Sequence, residues 1–299
     1  GKYDWVVSFD LNSLYPHLIM QYNISPETLL EERHPSATVD KILNEELTFE
    51  LYKDNAVCAN GAMYRKDVRG FLPELMEKIY KDRTVYKKKM LQAKQDYEKT
   101  PTKALEKEIA RCNNIQMARK IQLNSAYGAI GNQYFRYYKL ANAEAITLSG
   151  QVSIRWIENR MNGYLNKLLQ TEEEDYVIAS DTDSIYLNMG PLVDKFFSGK
   201  SGDKNSIVEI LDKICQDKLE PFIEQSYTKL ADYVQAYEQK MIMKRENIAE
   251  RGIWTAKKRY ILNVWNSEGV QYTEPKLKMM GIEAVKSSTP APCRQMIKD

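Results

Sequence analysis

The apolar positions of this chain change their spacing several times, and each change marks an element. Trp5-Val6-Val7-Ser8-Phe9-Asp10 is a short, nearly continuous apolar run and predicts a buried strand. Ser13-Leu14-Tyr15-Pro16 then opens a helix, with Pro16 tolerated in its first turn. That helix runs to about Asn23, where Ile24-Ser25-Pro26 ends it. Residues 31–55 are acidic and mixed and carry no clear period. Ala56 to Lys66, centred on Asn60-Gly61, predicts a β-hairpin. Helical spacing takes over across about 71–98 and again across about 102–127, with Lys99-Thr100-Pro101-Thr102 as the break. So short a connection predicts antiparallel neighbours: a helical hairpin projecting from the body, closed by Gly128 and Gly131.

A third long helix is predicted over about 141–170, with an apolar stripe of Ile146, Ile154, Ile157, Met161, Leu165 and Leu168. Tyr176–Ser180 and Ile185–Met189 form a second hairpin that carries Asp181-Thr182-Asp183 at its tip. Ser198–Asp203 reads as a mobile loop by composition. A helix over about 205–226 follows, then strands over about 239–248, 256–265 and 270–274. Residues 275–299 contain Ser287-Ser288-Thr289-Pro290-Ala291-Pro292 and read as a linker. Strands and helices mix without alternating βαβ units, so the expected fold class is α+β.

Composition adds limits rather than detail. The 299 residues can bury a sizeable core, and 43% hydrophobic with 28% charged residues is ordinary for a water-soluble domain. No apolar run is long enough for a membrane span, and the N-terminus has no signal-peptide layout. Cys58, Cys112, Cys215 and Cys293 are far apart and contain no Cys-x-x-Cys pair, which speaks against a zinc site and for a reducing cytosol. With only His17 and His34, any metal should be hard and oxygen-ligated. The start directly on a strand reads as a piece of a larger polypeptide.

The net charge of +2 hides strong local bias. Residues 81–120 hold twelve Lys/Arg against five Asp/Glu, and residues 240–260 hold seven against two. Residues 171–184 carry six acids and no base. Basic surfaces suit polyphosphates and an acidic centre suits cations, although either basic run alone also fits a solvated helix face.

Two acidic islands stand 171 positions apart, each where a strand should end: Asp10, and Asp181 with Asp183. If their strands are neighbours in one antiparallel sheet, the carboxylates converge. Clustered carboxylates repel unless cations sit between them. Two Mg²⁺ ions could then clamp the oxygens of a phosphoryl transfer. Lys120, Asn124 and Tyr127 share one helix face, and Arg83 and Lys87 share one on the partner helix. Facing each other, these cations would surround a triphosphate, with a semi-buried Asn124 amide and Tyr127 phenol beside the lysine. Lys257-Lys258-Arg259-Tyr260, after Trp254, suits a nucleic-acid backbone. A solvated turn and a wet helix face are the plainer alternatives for these motifs taken singly.

Taken together they resemble the family B DNA polymerases, and among these the replicative polymerases of tailed bacteriophages. Asp10-x-x-Ser13-Leu14-Tyr15-Pro16, Lys120-x-x-x-Asn124-Ser125-x-Tyr127-Gly128 and Asp181-Thr182-Asp183-Ser184 occur in family order, and Lys257-Lys258-Arg259-Tyr260 follows. The resemblance covers nearly the whole chain. It implies a palm built on an antiparallel sheet with packed helices, carrying the helical hairpin as fingers. The implied bounds are 1–70 and 132–285 for palm, 71–131 for fingers, and 286–299 for the start of a truncated thumb.

The resemblance also implies roles. Asp10, Asp181, Asp183 and the Leu11 carbonyl would hold two Mg²⁺ ions, with Mn²⁺ as the alternative. Ser13, Leu14 and Tyr15 would meet the triphosphate through their amides, together with Arg83, Lys87, Lys120 and Asn124. Tyr15 would be a steric gate against a ribose 2′-hydroxyl. Tyr127 and Gly128 would lie under the templating pair, while Lys257, Lys258, Arg259, Tyr260 and Lys278 would touch DNA. Glu246 falls where the family keeps a further acid near the metals. His17 stands where Ser is usual, and Ala179-Ser180 where Tyr-Gly is usual. Neither removes a ligand.

The expected reaction is therefore addition of dNTPs to the 3′-hydroxyl of a primer–template. Exonuclease and thumb domains would lie on missing sequence or another chain, with no membrane and a cytoplasmic (host cytoplasmic, if viral) setting. The rivals are a non-catalytic or partner-dependent polymerase fragment and a two-metal nuclease.

Overall fold

A computed structural model of the chain describes residues 1–197 and 203–298. The first half runs β1 (Lys2–Leu11), α1 (Leu14–Tyr22), β2 (Leu29–Arg33), α2 (Val39–Leu43), β3 (Asn55–Val57), β4 (Ala62–Arg65), α3 (Phe71–Lys99) and α4 (Lys103–Ile130). Then come α5 (Leu140–Leu169), β5 (Val177–Asp181), β6 (Ser184–Asn188), α6 (Gly190–Phe197), α7 (Lys204–Ile214) and α8 (Glu220–Tyr233). The chain finishes with β7 (Met243–Ala256), β8 (Arg259–Ser267), β9 (Val270–Met280) and α9 (Ala291–Lys298). The class is α+β.

The chain divides into two compact units. The first comprises Gly1–Asp10, Met161–Glu220 and Lys244–Asp299, and the second Leu11–Arg160 and Pro221–Met243. The first is built on a six-stranded sheet of order β5-β6-β1-β7-β8-β9. Pairs β5–β6, β6–β1, β7–β8 and β8–β9 are antiparallel. Central β1 is buried without alternation from Val6 to Phe9, because both faces are covered. In β8 every second residue is buried, and Tyr260, Leu262 and Val264 pack with Val6, Tyr186 and Ala249. Arg245 of β7 is buried, and its guanidinium meets Asp212 at 2.6 Å and the Asn266 amide oxygen at 2.7 Å.

The second unit packs α1 on every side: eight of its nine residues are buried, as expected of a helix apolar all round. Buried polar groups find partners here too. Trp156 donates to the Ser226 carbonyl at 2.8 Å, and the Tyr227 hydroxyl to that of Ser153 at 3.0 Å. Helices α3 and α4 form the antiparallel hairpin, turned at residues 100–102, where the Thr102 hydroxyl caps α4 by accepting from Leu105 N–H at 3.2 Å. Few residues of these long helices are buried, so the arm is held by a narrow seam that includes Met90, Ala93, Cys112 and Leu123.

Several expectations need correction. Gly128 lies inside α4, and Gly131 alone stands at its end. Leu168 is 38% exposed, and the α5 stripe passes from Leu165 to Leu169 instead. The helix expected to end near 226 continues through a π-turn at Cys215–Leu219 and on to Tyr233, because Tyr227, Leu230 and Ala231 are buried. The strand expected over 239–248 is β7, which begins at Met243 and runs to Ala256. Residues 275–298 are no linker: Pro275 lies within β9, at the sheet edge where a missing N–H costs no ladder bond, and α9 follows. The expected mobile loop lies, except for Asp203, outside the described residues. Residues 31–55 hold β2, α2 and one 3₁₀ turn, too short to register as periodicity.

Candidate active site

The strand register brings two of the distant carboxylates into one row. Asp10 stands opposite Ser184 across the β1–β6 pair, and Asp181 stands opposite the same serine across β5–β6. Directly paired residues share a sheet face. Asp10 and Asp181 therefore flank Ser184 at the same end of the sheet, roughly 10 Å apart at the backbone, two strand spacings. Asp183 sits in the turn beyond, its N–H bonded to the Asp181 carbonyl. This turn is very tight and forces Thr182 to φ 53°. A β-branched residue with a left-handed backbone is an outlier, and such strain clusters at functional sites.

Cationic groups of the same unit meet these acids. Lys258, in the β7–β8 turn, places its ammonium 3.1 Å from a carboxylate oxygen of Asp181. Lys278 bonds Glu246 at 3.0 Å. Burial by itself would lower the Lys278 pKa, but Glu246, Tyr260 and Asp10 more than offset it and hold the ammonium above the ordinary lysine range. Arg259 pairs with Glu283 at 2.6 Å. Tyr260 is buried, and its hydroxyl shares a 2.6 Å bond with that of Tyr186. Burial pushes both phenols up. Lys257 and Lys258 are both exposed. A cleft of about 470 Å³ opens beside Asp181, lined by Ala179, Ser180, Trp254, Lys257 and Lys258 among others.

Among the described residues, no group of three or more His, Cys, Asp or Glu is gathered tightly enough to hold a metal ion by itself. The donors present nonetheless suit a hard cation. They are carboxylate oxygens in an open row, and a positive group, the Lys258 ammonium, already rests on Asp181. Mg²⁺ takes few protein carboxylates and fills its shell from water and substrate phosphate, so an open row fits it better than a closed cage.

In the other unit, the start of α1 carries a second strained turn. Ser13 is left-handed, with φ 41° and ψ 67°. Its hydroxyl does not cap the helix; it accepts from Arg83 Nη1 at 2.8 Å. Its carbonyl accepts the His17 N–H at 3.1 Å and the His17 ring Nδ1 at 3.0 Å. Burial draws the His17 pKa down to about 4, helped by Lys240 and Arg83 and opposed by the bond to Ser13. The ring is therefore neutral at pH 7, and the proton it keeps must be on Nδ1, since a carbonyl only accepts. The Tyr15 ring lies 4.6 Å from that of Tyr127 on α4, tilted by 48°. Gly150 of α5 packs beside the Tyr15 ring, and a Cβ added there would lie 3.5 Å from it, an ordinary van der Waals contact.

The arm brings its basic residues to one region. Arg83, buried on α3, also donates to the Gln116 side chain on α4 at 3.3 Å. Gln116 lies one turn before Lys120, so Lys120 follows on the side of α4 that meets Arg83. Lys87 is half-buried, and Lys120 and Asn124 are exposed. The expected semi-buried amide at Asn124 is thus corrected: α4 turns it to solvent. Sequence reasoning missed Gln116, the Tyr80 and His17 contact, and Gly150. Only Gln116 left a signal, its i, i+4 spacing to Lys120.

The chain is similar to known proteins over most of its length. A profile described as DNA polymerase family B matches residues 2–200. The chain is 37% identical over 349 aligned residues to the "DNA-directed DNA polymerase" of Escherichia phage RB69, covering 100% of the chain and 38% of that protein. Against the "DNA-directed DNA polymerase" of Enterobacteria phage T4 the identity is 35%, covering 99% of the chain and 38% of that protein. "DNA polymerase 1" of Pyrococcus abyssi is 26% identical over 88% of the chain. The chain thus spans under two-fifths of the length of the phage relatives it matches.

Proposed function

Since the chain belongs to DNA polymerase family B, we propose that it is the polymerising core of a DNA-directed DNA polymerase, adding dNTPs to a primer 3′-hydroxyl on a DNA template. The observation that carries this reading is the shared register of Asp10 and Asp181 on Ser184. It puts two acids remote in sequence at one end of one sheet. In this reading the sheet serves as palm, α3 and α4 as fingers, and the residues from 286 onward begin a thumb.

Asp10, Asp181 and Asp183, with the Leu11 carbonyl, would hold two Mg²⁺ ions, which when bound supply an acidified primer hydroxyl and charge neutralisation at the phosphates. The remaining work is positioning and electrostatics. Arg83, Lys87, Lys120 and Asn124 bind the triphosphate and draw charge from the departing pyrophosphate. The amides of Ser13, Leu14 and Tyr15, at the positive end of α1, meet the phosphates. The Tyr15 ring, backed by Tyr127 and Gly150, fills the space that a ribose 2′-hydroxyl would need. Lys257, Lys258, Arg259, Tyr260 and Lys278 line the path of the DNA, and Lys258 balances the charge of Asp181 until a metal does so. No helix among the described residues is long and apolar enough to cross a membrane, and replication in the cytoplasm (of the host, for a phage protein) suits the reading.

The test is primer extension by this chain, alone and with candidate exonuclease and thumb polypeptides, with Mg²⁺ and dNTPs. Extension requiring all four dNTPs supports the reading. Degradation of DNA with Mg²⁺ alone would replace it with a nuclease. A second reading is that the chain acts only with a partner polypeptide. Extension restored by added pieces would establish that version.

A further inference from the structure

His17 is the residue of the first acidic motif that departs from the family pattern, and the structure connects it to the parts that select the nucleotide. A non-glycine residue held left-handed costs about 1–2 kcal/mol. Ser13 must therefore be held in that conformation by its neighbours. Three bonds converge on it. The helix itself supplies one, from the His17 N–H at 3.1 Å. Arg83 Nη1 supplies another, to the hydroxyl at 2.8 Å. The third is the bond from the His17 ring Nδ1 to the carbonyl at 3.0 Å. A serine at position 17 could bond the same carbonyl through its hydroxyl, but it has no ring to reach the arm.

The same ring reaches the arm. His17 meets the Tyr80 ring edge to face, with centroids 4.3 Å apart and planes at 88°. Tyr80 lies one turn before Arg83 on α3, so α3 grips the start of α1 at two successive positions, one through each side of the turn. His17 is 3% exposed and fully enclosed by protein, so solvent does not compete for its ring proton. The turn so held is the one that aims the Tyr15 ring and the first amides of α1.

We infer that His17 is a positioning residue for nucleotide selection, its Nδ1–H fixing the left-handed Ser13 turn and its ring face tying that turn to the arm helix through Tyr80. It touches no substrate. It acts through Ser13 and Tyr15, and this rests on the polymerase reading above. The role is specific to a donor at that nitrogen, which separates it from simple core packing. Asn carries an amide nitrogen at nearly the same reach as Nδ1. Phe keeps the shape and the Tyr80 contact but cannot donate.

The experiment compares His17→Asn and His17→Phe with wild type in the full-length protein. It measures dNTP KM, kcat, discrimination between dNTP and rNTP, primer–template Kd and Tm. In H17F the dNTP KM should rise and the sugar discrimination should fall, each by about tenfold, the size of one lost hydrogen bond to a strained group. The primer–template Kd should stay within about twofold, because the change acts on the nucleotide side. H17N should keep both nucleotide parameters within about threefold of wild type, even where its Tm falls. Tyr80→Leu, which removes the ring contact but leaves the donor, should disturb KM less than H17F does. The opposite ranking, with H17F near wild type and H17N impaired, would show that the ring only packs and would overturn the inference. So would a loss in H17F shared equally by Kd, KM and Tm. Wild-type protein that extends no primer at all overturns the polymerase reading, and the inference with it.

Discussion

Among the described residues next to the proposed chemistry, Ser13, Thr182 and Lys258 hold a left-handed backbone, and the molecule holds the first two in different ways. Ser13 is pinned from a distance: Arg83 comes from 70 residues away to its hydroxyl, and His17 closes on its carbonyl within a buried pocket. Thr182 is pinned locally, by a turn in which Asp183 bonds back to Asp181 and the Thr182 hydroxyl rests 3.2 Å from the Asp181 carboxylate. The first conformation depends on packing, and the second on the shortness of the hairpin. The contrast suits the proposed tasks. A turn that reads a nucleotide must respond to the arm that carries the cations, whereas a turn that presents carboxylates to metal ions must stay put.

The largest expected effect tests what the Thr182 turn presents. Asp10→Asn and Asp183→Asn should each lower kcat by at least about 10³-fold, with primer–template Kd nearly unchanged, as loss of a metal ligand demands. Near-normal turnover in either variant would remove the metal assignment and leave the strained turn without a role.

Next in size is a test of what the arm contributes on the Ser13 side. Lys120→Ala should cost roughly 2–4 kcal/mol of transition-state stabilisation, read as kcat/KM for dNTP, if Lys120 is a fixed electrostatic donor. If gel-shift affinity for DNA suffers instead, Lys120 belongs to a nucleic-acid surface.

A third effect comes from pH. His17 titrates near 6.5 when unfolded and near 4 in the fold, chiefly because it is buried. Between those values the unfolded chain binds more protons, so stability is complete above about pH 6.5 and declines as pH falls toward about 4. The decline attributable to His17 should be on the order of 3 kcal/mol in urea unfolding. His17→Asn should remove that share of the slope. Identical slopes in the two proteins would mean the Ser13 turn does not depend on a neutral ring.

The smallest effect compares the turns directly. Thr182→Gly relieves local strain and gives up only an exposed bond, so stability should hold or rise by up to about 1 kcal/mol. Ser13→Gly relieves similar strain but deprives buried Arg83 of an acceptor, and stability should fall by about 1 kcal/mol. Equal signs in the two measurements would erase the distinction between a packed and a local turn.

Much of the fold was legible because it rests on period and punctuation. The α3–α4 hairpin could be read from two helical patterns and the Thr100-Pro101-Thr102 break, and the β5–β6 hairpin from two short runs around Asp181-Thr182-Asp183. The misreadings share a cause, since each depended on what packs alongside. Leu168 fits the α5 stripe but has no cover, while Tyr227, Leu230 and Ala231 extend α8 because they do. Pro275 looked like the start of a linker and is tolerated in β9 because that strand lies at a sheet edge. At the site, the acids and cations were visible as residue types at helical or strand spacing. Gln116, Tyr80 and Gly150 were not, because their importance is that of neighbours.

By itself the order of residues determined which groups could do chemistry: hard oxygen donors at strand ends, cations on helix faces, and a motif order that places the chain in its family. Local rules suffice there, because spacing along a helix or strand sets which side chains share a face. Only the tertiary structure decided that Asp10 and Asp181 answer to the same serine, that Lys258 rests on Asp181, and that His17 and Arg83 close on Ser13. Except for the contact of His17 with Ser13, four residues away, those join segments tens to hundreds of residues apart. Strand register and helix packing select them from the many that the same side chains could have made.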